Sequence, residues 1–352
     1  MRILEINTEK TWRGGERQTF FTLTSLRSAG VQLSLMARKG FPLAQKAKEA
    51  GFHVHAVSGG LWSSFFFLAF KARTHADVLH AQTAKALTFC FLSKPFHRLP
   101  IVYTRRVDFI PKGKLTLMKY RACTRLVAIS KAIQKILENQ GLGPVVLIPS
   151  MIEPSVLNAK RGNQLLKDLK VPEGKRILGT AAALVDHKDP HTLMAALQKL
   201  KCIRTDWVFI HLGDGVLKEE MQTMAHSLGL DDFYIQAGHI SQPEDLIQLF
   251  SLFVMSSKEE GLGSSVLDAF LYEVPVVSTN AGGLKELLEN ERGISVSVGD
   301  SEGLASAIDL VLQDAMVREK SVSNAKAYVL QRHSAAYHAA AYGSLFKEIL
   351  KT

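Results

Sequence analysis

The sequence predicts an α/β protein of two successive domains, each a parallel sheet covered by helices on both faces. Three observations predict it. The chain has 352 residues, more than one hydrophobic core usually organises. Short apolar runs rich in β-branched residues alternate with helix-period segments along its whole length. That alternation pauses once, in a Pro-punctuated stretch from Pro149 to Gly174.

In the first half, strands are expected at 2–6, 32–37, 53–57, 78–80, 101–104, 126–129 and 145–148. Helical stretches fall between them, among them 17–29 and 43–50, the second preceded by Pro42 where proline is tolerated. Continuous apolar strands separated by helices argue for a parallel sheet buried on both faces. After the pause, strands are expected at 176–182, 207–212, 233–236, 252–255, 274–278 and 293–296, with helical segments at 302–312 and 317–350 closing the chain. Two Rossmann-like βα domains in succession imply a central cleft where strand carboxyl ends meet a ligand.

Composition narrows the class. With 47% apolar and 22% charged residues the chain is globular, which excludes a disordered protein. Its three cysteines (Cys90, Cys123 and Cys202) form no metal-binding pattern and suit a reducing compartment. The opening residues read as a strand and lack the features of a secretion signal. The most apolar window, 61–70, is about half the ~20 residues a spanning helix needs. Residues 1–160 carry 24 Lys/Arg against 8 Asp/Glu, and the rest carry 19 against 25. A basic half joined to an acidic one suggests that one half faces an anionic partner. No zinc-finger, helix-turn-helix or RNP-like pattern supports nucleic acid as that partner.

The densest chemistry lies in Ser256-Ser-Lys-Glu-Glu-Gly-Leu-Gly-Ser-Ser-Val-Leu-Asp-Ala-Phe270, which follows a buried-type strand and opens a helix. Gly261 and Gly263, with Leu262 between them, permit close backbone approach, and Ser264 and Ser265 are placed to cap the helix. Such a turn offers N–H groups and a positive dipole end to a phosphate. Asp268 lies one helical turn on, able to accept hydrogen bonds from ribose hydroxyls. An ordinary capped βα turn is the competing reading of the turn alone.

The spacing Glu260-x7-Asp268 resembles the E-x7-E signature of family 4 glycosyltransferases of the GT-B fold, with Asp in place of the second Glu. The resemblance covers most of the chain. Residues 271–286 match the "PVV…GGxxE" segment, Val208–Gly215 the "GxG" strand-turn that includes Gly213, and 235–240, with His239 and Ile240, the loop against the base. Arg13-Gly-Gly-Glu-Arg17, which includes Gly15, is similar to the "GGxE" turn before the first helix, and 77–81 and 126–131 are further landmarks.

The resemblance implies a GT-B fold. Residues 1–158 would take the acceptor and 159–330 a nucleotide-sugar donor, with a helix at 331–352 returning to the first domain. It implies sugar transfer with retention of configuration, Glu260 orienting the donor sugar and Lys188 binding the diphosphate. The relatives' diphosphate-binding Arg is Ala183 here, so Arg17 or Arg105 is the candidate second cation. Where many relatives carry a donor-contacting His, this chain has Thr104-Arg105-Arg106, which suits an anionic sugar, acceptor phosphate or lipid headgroup and equally an ion pair with Asp108. His80, flanked by apolar residues, reads as a hydrogen-bonded core histidine. The chain contains no Asp-x-Asp, so neither a metal nor another cofactor is expected.

An aromatic run at 61–70 and the cations between Lys94 and Arg125, among them Arg106, Lys112, Lys114 and Lys119, suit a lipid interface. The expected setting is cytoplasmic, on the inner face of the membrane, with a glycan or lipid-linked acceptor of cell-surface polysaccharide or lipopolysaccharide. An epimerase of the same fold and a non-catalytic sugar-nucleotide or nucleic-acid binder are the alternatives.

Overall fold

A computed structural model describes residues 1–351. The chain divides into two compact units, Met1–Glu153 with Arg332–Thr352, and Pro154–Gln331. The first crossing falls before residue 158 because the linker already bonds within the second unit: Ser155 N donates to the Tyr272 hydroxyl and Asn158 N to Asp245 Oδ1.

The first unit holds seven strands: β1 (Arg2–Asn7), β2 (Gln32–Arg38), β3 (His53–Val57), β4 (Val78–Ala81), β5 (Ile101–Arg105), β6 (Arg125–Ala128) and β7 (Val145–Leu147). All pair in parallel, in the order β3-β2-β1-β4-β5-β6-β7. The chain therefore winds outward in both directions from a switch between β1 and β4. Helix Ala335–Lys351 packs against helix Gly14–Ser28, and its Tyr342, Leu345, Phe346 and Ile349 share a core with Ile3, Val78, Val102 and Val127.

A buried polar chain runs through that packing. His80 Nδ1 lies 2.8 Å from Glu5 Oε1, its Nε2 lies 2.7 Å from Thr104 Oγ1, and Thr104 Oγ1 lies 2.7 Å from the Tyr342 hydroxyl. Gln82 Nε2 donates to the second Glu5 oxygen at 2.6 Å. These groups are buried, so each must find its partner inside the protein. The chain ties β1, β4 and β5 to the last helix and accounts for His80.

The helical segment expected at 317–350 is two helices, Ala315–Arg332 and Ala335–Lys351. Local partners break it. The His333 carbonyl accepts Ile152 N at 2.8 Å, and Ser334 Oγ accepts Tyr337 N at 3.3 Å as a new cap.

The second unit holds β8 (Arg176–Ala181), β9 (Trp207–Leu212), β10 (Tyr234–Gly238), β11 (Leu252–Met255), β12 (Val276–Thr279) and β13 (Ile294–Val296). These strands are also parallel, in the order β10-β9-β8-β11-β12-β13, which puts a switch between β8 and β11. Trp207 and Phe209 anchor its core against Leu193, Leu197, Ile308 and Val311.

Residues Leu61–Phe70 form one helix of the first unit. Ser64, Leu68 and Ala69 face inward, while Trp62, Phe66 and Phe70 are 70%, 53% and 63% exposed. Among the described residues no helix is long and apolar enough to cross a membrane.

Thr104→Val keeps the side-chain shape but removes the hydroxyl that His80 and Tyr342 share. The expected cost is about 1–3 kcal/mol, read as a lower urea midpoint; an unchanged midpoint would show that the hydroxyl does not hold the last helix.

Candidate active site

At the switch of the second sheet, the loops after β8 and β11 leave from adjacent strands. The loop after β8 is held along its length by the turn after β9. Ala182 N donates to Leu212 O at 2.9 Å, and Leu184 exchanges bonds with Asp214 and Leu217 at 3.1 and 3.0 Å. His211 lies 3.0 Å from both Ala182 O and the Tyr234 hydroxyl. Burial pulls its pKa down to about 4, so the ring is neutral near pH 7, donating from Nε2 to the carbonyl and accepting the tyrosine proton at Nδ1. The Gly213-Asp-Gly215 turn presses against this loop. A Cβ on Gly213 would stand 1.9 Å from Ala182 O, and one on Gly215 2.2 Å from Leu184 O.

Residues 186–188 make one 3₁₀ turn, and Asp189 caps helix Pro190–Ile203 by accepting Thr192 N at 3.3 Å and Thr192 Oγ1 at 2.7 Å. The turn is bound to the loop after β11. Ser256 Oγ donates to the carbonyls of Lys188 and Asp189, at 3.0 and 2.8 Å, and the N–H groups of Lys258 and Glu259 donate to His187 O. These bonds bring Lys188 Nζ onto Glu260 Oε2 as an ion pair, its side chains 19% and 15% exposed.

The loop after β11 has its own support. Gly283 N donates to Glu260 O at 2.7 Å, and a Cβ on Gly283 would stand 2.6 Å from Gly261 O. Gly263, at φ +92°, is itself the N-cap of helix Ser264–Leu271. This corrects the capping role expected of Ser264 and Ser265, which are the first two helical residues. Their N–H groups have no intrahelical acceptor and stand at the positive end of the helix dipole. Leu262 is buried beneath the turn, and Asp268 is buried one helical turn deeper. Asp268 lies near Tyr272, whose pKa is raised by burial and further by that carboxylate.

The structure thus brings together Lys188, Glu260, Gly261, Leu262, Gly263, Ser264, Ser265 and Asp268. Gly213 adjoins them, and its N–H donates at 2.8 Å to Gly238 O, the residue before exposed His239 and half-buried Ile240. Ala183 is exposed. Sequence reasoning missed Ser256, Asp189 and His211. An Asp-Pro pair at a helix start could have revealed Asp189, but no local signal marks the other two.

The remaining expected residues belong to the first unit. Gly15 lies in the first turn of helix Gly14–Ser28, where Glu16 Oε2 accepts Arg13 N at 2.9 Å and Thr11 Oγ1 at 3.1 Å. Arg105 requires a correction. It is buried, donating from Nε to Val107 O at 2.9 Å and from its terminal nitrogens to the Tyr120 hydroxyl and Phe109 O. Its guanidinium is consumed in folding its own loop and is unavailable as a second catalytic cation. Arg106 turns inward, NH1 reaching Gln82 O at 3.3 Å, which removes it from the proposed membrane surface. Lys112 and Lys114 are exposed, and half-buried Lys119 donates to Thr88 Oγ1 at 3.1 Å. Among the described residues no three His, Cys, Asp or Glu side chains are grouped to hold a metal.

Residues 163–328 match the family model described as Glycosyl transferases group 1, and residues 12–156 the one described as Glycosyltransferase Family 4. The chain belongs to glycosyltransferase family 4. It is 30% identical over 153 residues to the lipopolysaccharide core biosynthesis glycosyltransferase LpsE of Rhizobium meliloti, covering 43% of this chain and 44% of that protein. It is also 30% identical over 146 residues, 40% of each chain, to a Campylobacter jejuni alpha-1,4-N-acetyl-D-galactosaminyltransferase named for a PP-undecaprenol-linked glycan. The matches thus span less than half the length of these relatives. Anabaena HepE, solved in complex with UDP and glucose, superposes with a TM-score of 0.84 at 20% identity over 99% of this chain and 100% of that one. That likeness shows a shared GT-B fold.

Glycine at position 283 has a mechanical reason here, since a Cβ would stand 2.6 Å from Gly261 O. Gly283→Ala is expected to displace the Glu260 turn, because the added carbon would overlap backbone on the facing loop. Thermal melting should show a loss of about 1–3 kcal/mol; a wild-type melting curve would show that the two turns do not touch.

Proposed function

We propose that the chain moves a sugar from a nucleotide-diphosphate donor to a glycan or lipid-linked acceptor, with retention of configuration and without a metal. The observation that carries this is Lys188 paired to Glu260 beside the first turn of helix Ser264–Leu271, at the switch point of the second sheet. Strand carboxyl ends at such a point are where α/β sheets bind nucleotides. The N–H groups of Ser264 and Ser265 and the Lys188 ammonium suit a diphosphate. Asp268 suits the ribose, and His239 and Ile240 adjoin the base.

On donor binding, Lys188 exchanges Glu260 for phosphate, which frees the carboxylate to orient the sugar hydroxyls. The acceptor oxygen then forms a bond to the anomeric carbon as the bond to the β-phosphate oxygen breaks, and that departing oxygen takes the acceptor's proton. Placement and charge stabilisation do the catalysis, and no enzyme nucleophile is needed. Support for the donor class comes from HepE, solved with UDP. The names of the R. meliloti and C. jejuni relatives support a lipopolysaccharide or lipid-linked acceptor, and retention rests on the family resemblance.

Lys188→Ala is expected to lower kcat/KM for a UDP-sugar by about 30-fold to 1000-fold, about 2–4 kcal/mol of charge-assisted contact, with an unchanged melting temperature. NMR of the product should show the donor's anomeric configuration. Wild-type kinetics in the variant, an inverted product or a strict need for Mn²⁺ or Mg²⁺ would each overturn the corresponding part of the mechanism.

The proposal extends to an anionic membrane surface at the cytoplasmic face. Trp62, Phe66 and Phe70 form an outward stripe with Phe96, and exposed Phe109, Ile110, Leu115 and Met118 lie in the segment that carries Lys112 and Lys114. Each basic side chain near such a surface contributes about 1 kcal/mol, screened over ~8–10 Å. Vesicle sedimentation should show binding to anionic lipid that falls with salt and with Lys112→Glu/Lys114→Glu. Equal pelleting on neutral vesicles, or none on either, would sink the electrostatic docking.

A further inference from the structure

β9 is apolar along its length except at His211, which is 2% exposed and lies between β10 and β8. A polar ring in such a strand costs stability unless both of its nitrogens are satisfied. Both are. Nδ1 lies 3.0 Å from the Tyr234 hydroxyl on β10, and Nε2 lies 3.0 Å from the carbonyl of Ala182, the first residue after β8. A carbonyl can only accept, so Nε2 carries the ring's proton and Nδ1 accepts the tyrosine's. Burial raises the Tyr234 pKa, which keeps that hydroxyl protonated, and lowers that of His211, which keeps the ring neutral. The three groups form a directed chain, Tyr234 to His211 to Ala182.

That chain ends on the loop that carries Lys188, and the loop has little slack. Leu184 N donates to Asp214 O at 3.1 Å, Val185 N to Ala183 O at 3.0 Å and Lys188 N to Val185 O at 3.0 Å. Ser256 fixes the far end through the carbonyls of Lys188 and Asp189. At the near end Gly213 presses on the Ala182 carbonyl but spends its own N–H on Gly238 O. Gly213 therefore limits how close Ala182 can come, and the His211 proton is what draws it in. A turn bonded this closely passes a displacement of Ala182 on to Lys188.

We propose that His211 is a positioning residue for the diphosphate site: its Nε2 proton, kept in place by Tyr234, sets the start of the loop from which Lys188 reaches the donor. The inference deepens the transferase reading and rests on it for the ligand of Lys188. His211 touches no reacting atom and acts through Lys188. A ring that only filled the core would be replaced well by leucine. A positioning donor is replaced by glutamine, whose side-chain amide can present an N–H where Nε2 stood.

The full chain carrying His211→Leu, His211→Gln or Tyr234→Phe provides the test. Hydrogen exchange read by mass spectrometry reports on the loop without any ligand. Amides of 182–188 are expected to exchange about tenfold faster in His211→Leu, as for the loss of one hydrogen bond. His211→Gln should stay close to wild type, with Tyr234→Phe between the two. Helix Pro190–Ile203 is the control and should be unmoved. Exchange that rises equally in loop and helix makes His211 structural and overturns the proposal, as does a loop that His211→Leu leaves unchanged. UDP is the ligand probe. Calorimetry should show about tenfold weaker binding in His211→Leu, restored in His211→Gln. On a Lys188→Ala background the leucine change should be silent, because residues acting through one contact are not additive. Unchanged UDP affinity in His211→Leu, equal losses with leucine and glutamine, or a full further loss on the Lys188→Ala background would each overturn it. If the wild type binds no UDP, the donor reading fails, while loop exchange still decides whether His211 sets the loop.

Discussion

At the carboxyl end of the second sheet, backbone packs directly on backbone. Gly213 and Gly215 rest on the carbonyls of Ala182 and Leu184, and Gly283 rests on the Glu260–Gly261 turn. A β-carbon at any of these contacts would stand 2.6 Å or less from a carbonyl oxygen, so only glycine permits them. Everything chemical in that unit depends on the spacing this produces. The loop after β8 cannot move away from the turn after β9, and the loop after β11 cannot move away from the turn after β12. Lys188 and Glu260, 72 residues apart, are held together because both of their loops are braced from behind.

Each unit, taken by itself, shows how a protein separates structural charge from working charge. Structural charges are fully bonded and enclosed: Arg105 in its own loop, and Glu5 between His80 and Gln82. Lys188 and Glu260 are sheltered but each keeps some exposure, so a ligand of matching charge can compete for either partner. The desolvation that makes such a pair only marginally stabilising also makes exchange with a phosphate inexpensive. Half-buried Arg106 bonds the Gln82 carbonyl and forms no ion pair among the described residues.

Much of this was legible in the sequence. Every strand was placed within two residues, because a fully buried parallel strand needs a continuous apolar run and its turns need Gly, Pro or Asp. The Glu260–Asp268 turn was legible through its glycines and spacing, and Lys188 through the family resemblance alone. Other features were not. A ten-residue run as apolar as 61–70 has no polar face to show which side turns outward, and the structure exposes Trp62, Phe66 and Phe70. Ser264 and Ser265 have the chemistry of caps, yet Gly263 takes that place because its left-handed backbone sets the helix start one residue earlier.

What the sequence by itself determined is local: which segments are strands, where the chain pauses, and which turns can approach a phosphate. Those properties follow from periodicity and backbone freedom within a few residues. Only the tertiary structure decided which of two adjacent arginines is structural. Arg105 meets Tyr120 and the carbonyls of its own loop, whereas Arg106 meets the end of β4. Successive residues leave a strand in opposite directions, and what each side chain finds there comes from elements distant in the chain.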